Sequence, residues 1–307
     1  MEKGTAISVV CKDKILSLET NEFVNQNSLF LVASISKIIT AMGTLKLIES
    51  GKLDIHQDIN KYLDFEIRNP HMNIIITVEH LLQHRSSLKD SELFTPNTTG
   101  IIPNLREYLI NTLNNKNMWM TSEYVKDDLI VPYWYSNIGF VILGYIIEIV
   151  SGSSFIDYIN QEIFFPLNIF NASWITCSGE CVCYENGEAV TNPNVIEYPA
   201  CQLRISISDL TKILFEFTSD NKSVLNEKLI SLMCPDNFNK GLAWWGNDSW
   251  FGEFFQNCWI HRGDLPGVAT QINYYPATKS GFIVLTNSNE SICDLVGKCK
   301  KILSENR

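Results

Sequence analysis

The apolar positions change period twice along this chain of 307 residues. Residues 5–11 and 14–18 are short apolar or β-branched runs separated by Lys12-Asp13, which predicts a hairpin. From Ser34 to Glu49 the period becomes helical: Ile38, Ile39, Met42, Leu45 and Ile48 recur at steps of three and four, and Gly51 follows as a stop. Thr77 is placed to cap a helix over Val78–His84, with Glu79 in the first turn where the helix dipole favours negative charge. Ile138–Val150 is almost continuously apolar, carries Glu148 and ends at Gly152, and a short helix over Phe155–Phe164 ends before Pro166. The first of these falls short of the ~20 residues that cross a bilayer, so it reads as a buried helix.

After a helix beginning at Asp209-Leu210 the strand character returns. Residues 241–246, 250–255, 258–262, 268–275 and 281–286 are aromatic or β-branched runs broken by Gly, Asn and Pro, the pattern of an antiparallel meander, and a helix over about 290–304 closes the chain. Strands at both ends and helices between them predict an α+β fold: one antiparallel sheet built from both chain ends, flanked by helices, with a large helical insertion. The expected division is a sheet domain of residues 1–55 and 196–307 and an insertion of residues 56–195. Residues 176–198 are polar and irregular and are expected to form a surface loop.

Composition narrows the function. A hydrophobic fraction of 45% supports a full core, and a net charge of -10 argues against nucleic acid or an anionic membrane as partner. Lys298, Lys300 and Lys301 fall on a helical pattern and read as a solvated face. The start, Met1-Glu-Lys-Gly-Thr, carries no apolar signal segment, and nine cysteines is an odd number. Free thiols in a reducing, cytoplasmic setting are the expectation. Cys177, Cys181 and Cys183 lie close together, but their spacing fits no common zinc pattern and no fourth ligand is near, so no metal is expected. The oligomeric state is left open.

A serine hydroxyl becomes a nucleophile when a neighbour takes its proton. Ser34-Ile35-Ser36-Lys37 sets a hydroxyl and an amine one helical turn apart at a helix start, where free N–H groups favour developing negative charge. Ser86-Ser-Leu-Lys89 and Ser219-Asp-Asn-Lys222 match the same spacing. Tyr135-Ser136-Asn137 precedes the most apolar helix. A tyrosine beside the Ser–Lys pair serves as a base if nearby positive charge lowers its pKa from about 10, and Asn137 is suited to bond both Lys37 and a substrate oxygen. Tyr158-Ile-Asn160 and Tyr184-Glu-Asn186 fit that pattern too. In His261-Arg262-Gly263-Asp264-Leu265-Pro266-Gly267, strand alternation puts residues 261 and 263 on one face and Arg262 on the other, and Gly263 admits close approach to the backbone.

Together these pieces resemble the superfamily of serine β-lactamases and penicillin-binding proteins, and within it the class C branch with its related esterases and D-peptidases. The matching segments are Leu31–Ala41, Ile76–His84, Tyr135–Gly144, Phe164–Leu167, Leu203–Leu210, His261–Gly267 and Ile283–Asn287, in the family's order and approximate spacing. The resemblance implies an acyl-enzyme hydrolase with Ser34 as nucleophile and Lys37 and Tyr135 as shared base, Tyr135 returning the proton to the leaving group. It implies that Asn137 positions Lys37 and substrate, that Gly263 forms the substrate's strand edge, and that the N–H groups of Ser34 and Asp264 make the oxyanion hole. His261 takes the place of a lysine found in the penicillin-binding branch; the continuation Gly-Asp-Leu-Pro-Gly favours it over the rival Lys279-Ser280-Gly281.

Departures refine the expectation. Histidine at 261 is mostly neutral at pH 7, given an ordinary pKa of about 6.5, and Asp264 adds negative charge, so the substrate is expected to be a small uncharged ester or amide. β-Lactamase or D-peptidase activity, and an idle member that binds a peptide or assembles with itself, are the alternatives. Arg85-Ser86-Ser87 stands where relatives usually show Thr-Ser-Gly, with Leu88 after it, and Cys201-Gln202 stands where two glycines are common. The chemistry requires no cofactor.

Overall fold

Strands from the two ends of the chain lie side by side, as the terminal apolar runs predict. The computed structural model describes residues 3–89, 95, 97, 101–125, 131–190, 194–239, 241–247 and 256–306. Strands β1 (Thr5–Cys11) and β2 (Lys14–Thr20) form a hairpin whose turn carries Lys12 at a left-handed φ of 54°. A two-residue strand β3 (Phe30–Leu31) leads through a tight helical turn, Ala33–Ile35, into α1 (Ser36–Glu49). The middle of the chain is helical: α2 (Val78–Leu82), α3 (Leu105–Leu113), α4 (Asn137–Ser151) and α5 (Phe155–Ile159), the last continued by a looser turn over Asn160–Phe164. A small hairpin of β4 (Cys183–Glu185) and β5 (Glu188–Val190) follows, then α6 (Tyr198–Cys201) and β6 (Arg204–Ile205), which pairs with β3. Helices α7 (Ile207–Thr218) and α8 (Glu227–Met233) precede the meander of β7 (Trp259–Leu265), β8 (Val268–Tyr275) and β9 (Ser280–Thr286), and α9 (Cys293–Glu305) ends the chain.

The sheet order is β2-β1-β9-β8-β7, antiparallel throughout. Alternation in β1 sends Ile7 and Val9 to one face, under Val296, Cys299 and Leu303 of α9, and Ala6 and Val10 to the other, which joins the main core. On that second face Ser8 meets Thr211 of α7 through a 2.8 Å hydroxyl contact. The sheet is thus sandwiched between α9 and α7, with α1 and α4 beyond. Helix α4 starts on Ser136, whose hydroxyl accepts from the Gly139 N–H at 3.1 Å, and stops at Gly152, whose φ of 74° suits glycine. Gly144 lets it close on α6, because a Cβ there would lie 2.8 Å from Pro199 Cγ. Among the described residues, no single helix is long and apolar enough to cross a membrane.

Two details differ from the periodic reading, and a third is untested. Residues 241–246 form no strand, and their backbone meets β7 at the Trp245–Ile260 bridge and at the Ala243 carbonyl bonded to His261. Gly241 and Gly246 crowd the Trp259 ring and Ala243 takes a φ of 59°, so the segment coils to let the indole fill the space. Residues 250–255 lie outside the described residues. Residues 176–198 are not wholly irregular, since they contain the β4–β5 hairpin.

Candidate active site

Ser34 sits in the turn that enters α1. The residue before it, Ala33, is held at a left-handed φ of 48°, a conformation costing about 1–3 kcal/mol for a residue with a side chain. The Ser36 hydroxyl clamps this turn, donating to the Ala33 carbonyl at 2.6 Å while accepting from the Leu203 N–H at 3.0 Å. The Val32 N–H donates to the Leu203 carbonyl at 2.9 Å. The strain is thus balanced by bonds to Leu203, just before β6, and the hydroxyl at 34 is fixed relative to α1.

One helical turn later Lys37 is fully buried. An uncompensated ammonium there would cost several kcal/mol, so its partners are decisive. Its Nζ donates to Asn137 Oδ1 at 2.6 Å, to the Ala200 carbonyl at 3.0 Å and to Ser34 Oγ at 3.2 Å. Two rings add their negative faces, Tyr135 at 4.7 Å and Phe140 at 5.6 Å from the nitrogen. Tyr135 belongs to the extended segment before α4, and its Oη lies 2.7 Å from Ser34 Oγ. Asn137 opens α4 itself. The sequence distance of about a hundred residues is closed because α1 and α4 pack against one another. One hydroxyl therefore touches both an amine and a phenol.

The sheet supplies the other wall. Trp245 and Ile260 exchange both backbone hydrogen bonds at 2.9 Å across the outer side of β7. By alternation the backbone groups of Arg262 and Asp264 point the same way, so the Asp264 N–H is directed to the free edge of the sheet. Gly263 packs directly against the Ser34 turn: a Cβ there would fall 2.2 Å from the Val32 carbonyl and 2.4 Å from Thr270 Oγ1. That Thr270 hydroxyl lies 3.0 Å from the Val32 carbonyl and 3.2 Å from the Gly263 carbonyl, joining sheet and turn.

His261 is fully buried. Its Nδ1 donates to the Ala243 carbonyl at 2.6 Å, and the Trp245 indole stacks on its ring at 4.6 Å. Burial, with a smaller push from the Lys37 charge, drives its pKa down to about 3, so the ring is neutral at pH 7. The carboxylate of Asp264 is 64% exposed and lies 3.7 Å from Arg262. The rival Lys279 is in the turn between β8 and β9, paired with Asp220, far along the sheet from Ser34.

Ser34, Lys37, Tyr135 and Asn137 thus form one connected network, with Gly263 and Asp264 bordering it and His261 behind Trp245. Four participants escape a reading of the sequence. The Ala200 carbonyl carries no side-chain signal. Thr270 and Trp245 are ordinary strand and loop residues whose contacts follow from the tertiary fold. His84 ends the motif-like segment Ile76–His84 and was legible only as part of that segment.

The family model described as "Beta-lactamase" matches residues 1–297. The chain is 34% identical over 141 residues to "Penicillin-binding protein 4*" of Bacillus subtilis, covering 46% of this chain and 29% of that protein. It is 24% identical over 279 residues to "Protein flp" of Staphylococcus aureus, covering 84% of this chain and 52% of that protein. The chain therefore spans about half or less of the length of these curated relatives. A class C β-lactamase structure from Rhodobacter sphaeroides superposes with a TM-score of 0.74 at 16% identity, over 98% of this chain and 94% of that one.

Proposed function

This chain belongs to the β-lactamase family, and from that premise we propose that it hydrolyses a small, uncharged ester or amide through an acyl-enzyme on Ser34. The Ser34 oxygen attacks the substrate carbonyl while its proton passes to the base formed by Tyr135 and Lys37. The N–H groups of Ser34 and Asp264 hold the resulting oxyanion, each such donor being worth about 3 kcal/mol. When the tetrahedral adduct collapses, the leaving alcohol or amine departs with the proton from Tyr135. Water then attacks the acyl-enzyme by the reverse sequence and restores the serine. Asn137 orients Lys37 and bonds the substrate. In this reading the helical insertion of residues 56–195 contributes Tyr135 and Asn137, and the sheet domain of residues 1–55 and 196–307 contributes Ser34, Lys37, His261 and Gly263.

The observation that carries the proposal is the hydroxyl of Ser34 within 2.7 Å of a phenol and 3.2 Å of a buried amine. Preference for an uncharged substrate rests on His261, which is neutral and capped by Trp245, and on the exposed Asp264 carboxylate at the strand edge. Position 261 itself carries no charge, and the neighbouring Arg262 guanidinium lies 3.7 Å from the Asp264 carboxylate. Exposure to a fluorophosphonate and to a penicillin, read by intact mass, tests the reading. An adduct lost in Ser34→Ala supports it, and failure of both probes to label would leave a binding protein. A long-lived penicillin adduct together with faster turnover of carboxylate-bearing than of neutral substrates would instead favour β-lactamase or D-peptidase activity.

A further inference from the structure

His84 holds the segment that presents Tyr135. His84 follows α2 at a left-handed φ of 56° and is buried. Its carbonyl accepts from the Trp134 N–H at 2.8 Å, and its Nδ1 accepts from the Ser136 N–H at 3.0 Å. The residues on either side of Tyr135 are therefore both bound to this single residue. Its ring stacks on the Tyr135 ring with centroids 4.5 Å apart, and its other neighbours are Phe140 at 5.2 Å and Tyr133 at 5.7 Å. Both backbone bonds and the ring face thus constrain one phenol.

We infer that His84 is a positioning residue for Tyr135, setting where its phenol meets the Ser34 hydroxyl. The inference rests on the reading of Tyr135 as a proton carrier. Because Nδ1 accepts a hydrogen bond, the proton of the neutral ring is on Nε2. That Nε2–H is buried without a hydrogen-bond partner among the described residues, so the imidazole is not held there by a third bond. Ser136, Phe140, Tyr133 and Tyr135 contact the ring, and Lys37 and His261 act on it electrostatically. Burial first, then the Lys37 charge and coupling to His261, push its pKa well below the ordinary 6.5. A neutral flat ring that also accepts a hydrogen bond at Nδ1 meets both requirements. Asparagine reproduces the acceptor and tolerates the left-handed backbone, but it has no ring. Phenylalanine reproduces the ring and has no acceptor. The two roles are therefore separable.

The test uses the full chain with a neutral chromogenic ester, in the variants His84→Asn, His84→Phe and Tyr135→Phe. Misplacing a reacting group by about 1 Å costs on the order of 100-fold in rate, so His84→Asn and His84→Phe should each lose roughly 10- to 100-fold in kcat with KM changed less than about 3-fold. The pH–rate profile of His84→Asn should also move, because the phenol loses the ring packed on it. Thermal melting of each variant separates loss of position from loss of fold, and His84→Asn keeps the Ser136 bond to guard against misfolding. If Tyr135→Phe retains activity, the reading of Tyr135 fails. If Tyr135→Phe is inactive while folded His84→Asn and His84→Phe keep wild-type kcat and pH profile, the positioning role alone is overturned.

Discussion

Lowering the pH from 7 to 5 should weaken the fold, and His261 allows the size of the effect to be worked out. In the native state this imidazole is fully buried and its pKa is down at about 3, against 6.5 for the free side chain. Burial is the main cause and Lys37 the second. The sign follows from proton counting. Below pH 6.5 the unfolded chain takes up a proton that the native protein refuses until the pH nears 3. The native state is therefore fully favoured above 6.5 and loses ground as the pH falls through that window. Integrating from pH 7 to 5, one such group removes about 2 kcal/mol, and over the whole gap between its two pKa values about 5 kcal/mol. His84, also buried and pushed down, acts with the same sign and the same ceiling of about 2 kcal/mol between pH 7 and 5. Against a total of about 5–15 kcal/mol this is a large share. Glu148 and Glu197, whose pKa values burial raises, work the other way, since their native forms take up a proton first as the pH falls. The comparison with a variant removes their contribution. Urea unfolding followed by tryptophan fluorescence at pH 7, 6 and 5 should show His261→Asn losing about 2 kcal/mol less than wild type over that range, whatever its stability at pH 7. Identical pH dependence in the two proteins would refute the argument, because it would mean that His261 protonates in the folded state as readily as in the unfolded one.

Gly263→Ala drives a methyl into the Val32 carbonyl at 2.2 Å, so β7 must retreat from the Ser34 turn; kcat/KM should fall by on the order of 100-fold, and wild-type kinetics would contradict the close approach. Asn137→Asp places a carboxylate on Lys37, where the amide oxygen now stands at 2.6 Å. The tighter pair should hold the ammonium charged, lowering kcat by roughly 10- to 100-fold without lowering the melting temperature. Glu216→Ala removes the acceptor for the N–H groups of Ser223, Val224 and Leu225, at 2.9, 2.8 and 2.9 Å. At about 1–3 kcal/mol for each stranded donor, urea unfolding should record a loss of at least about 3 kcal/mol with kcat unchanged.

How much of this was legible in the sequence divides along physical lines. Helix α4 was plain because thirteen consecutive positions, Ile138 to Val150, are almost all apolar and run to a glycine stop, whereas its Ser136 cap emerged only with the fold. The hairpin of β1 and β2 was equally local. Residues 241–246 were misread because aromatic and apolar side chains suit a strand equally well whether they face a sheet or wedge against one bulky indole. Only the crowding of Gly241 and Gly246 on Trp259 decides between these, and that is a tertiary fact. The predicted helix over Val78–His84 ends two residues early at Leu82 because His84 turns left-handed to meet Trp134 and Ser136. Local propensity could not anticipate a partner fifty residues away.

The site shows the same division, and it also explains why a histidine is tolerated at position 261. Two separate segments, Ser34–Lys37 and Tyr135–Asn137, each with decoys of the same spacing, meet at Lys37. The lysine decoys are excluded by their partners and not by spacing: Lys222 pairs with Glu227 and Lys279 with Asp220, whereas Lys37 alone of the three reaches a serine hydroxyl and an asparagine amide. A cation in that position constrains everything near it. The Lys37 charge contributes to depressing the basicity of both His84 and His261, and coupling between charges is reciprocal. A permanent cation at 261, buried beneath Trp245, would therefore make it harder for Lys37 to hold its proton and would add a second desolvated charge. Neutral His261 avoids both costs while its Nδ1–H still closes the Ala243 carbonyl. On the proposed reading, the electrostatics of the interior thus favour a single buried cation beside the Ser34 hydroxyl, with a neutral His261 in place of a second.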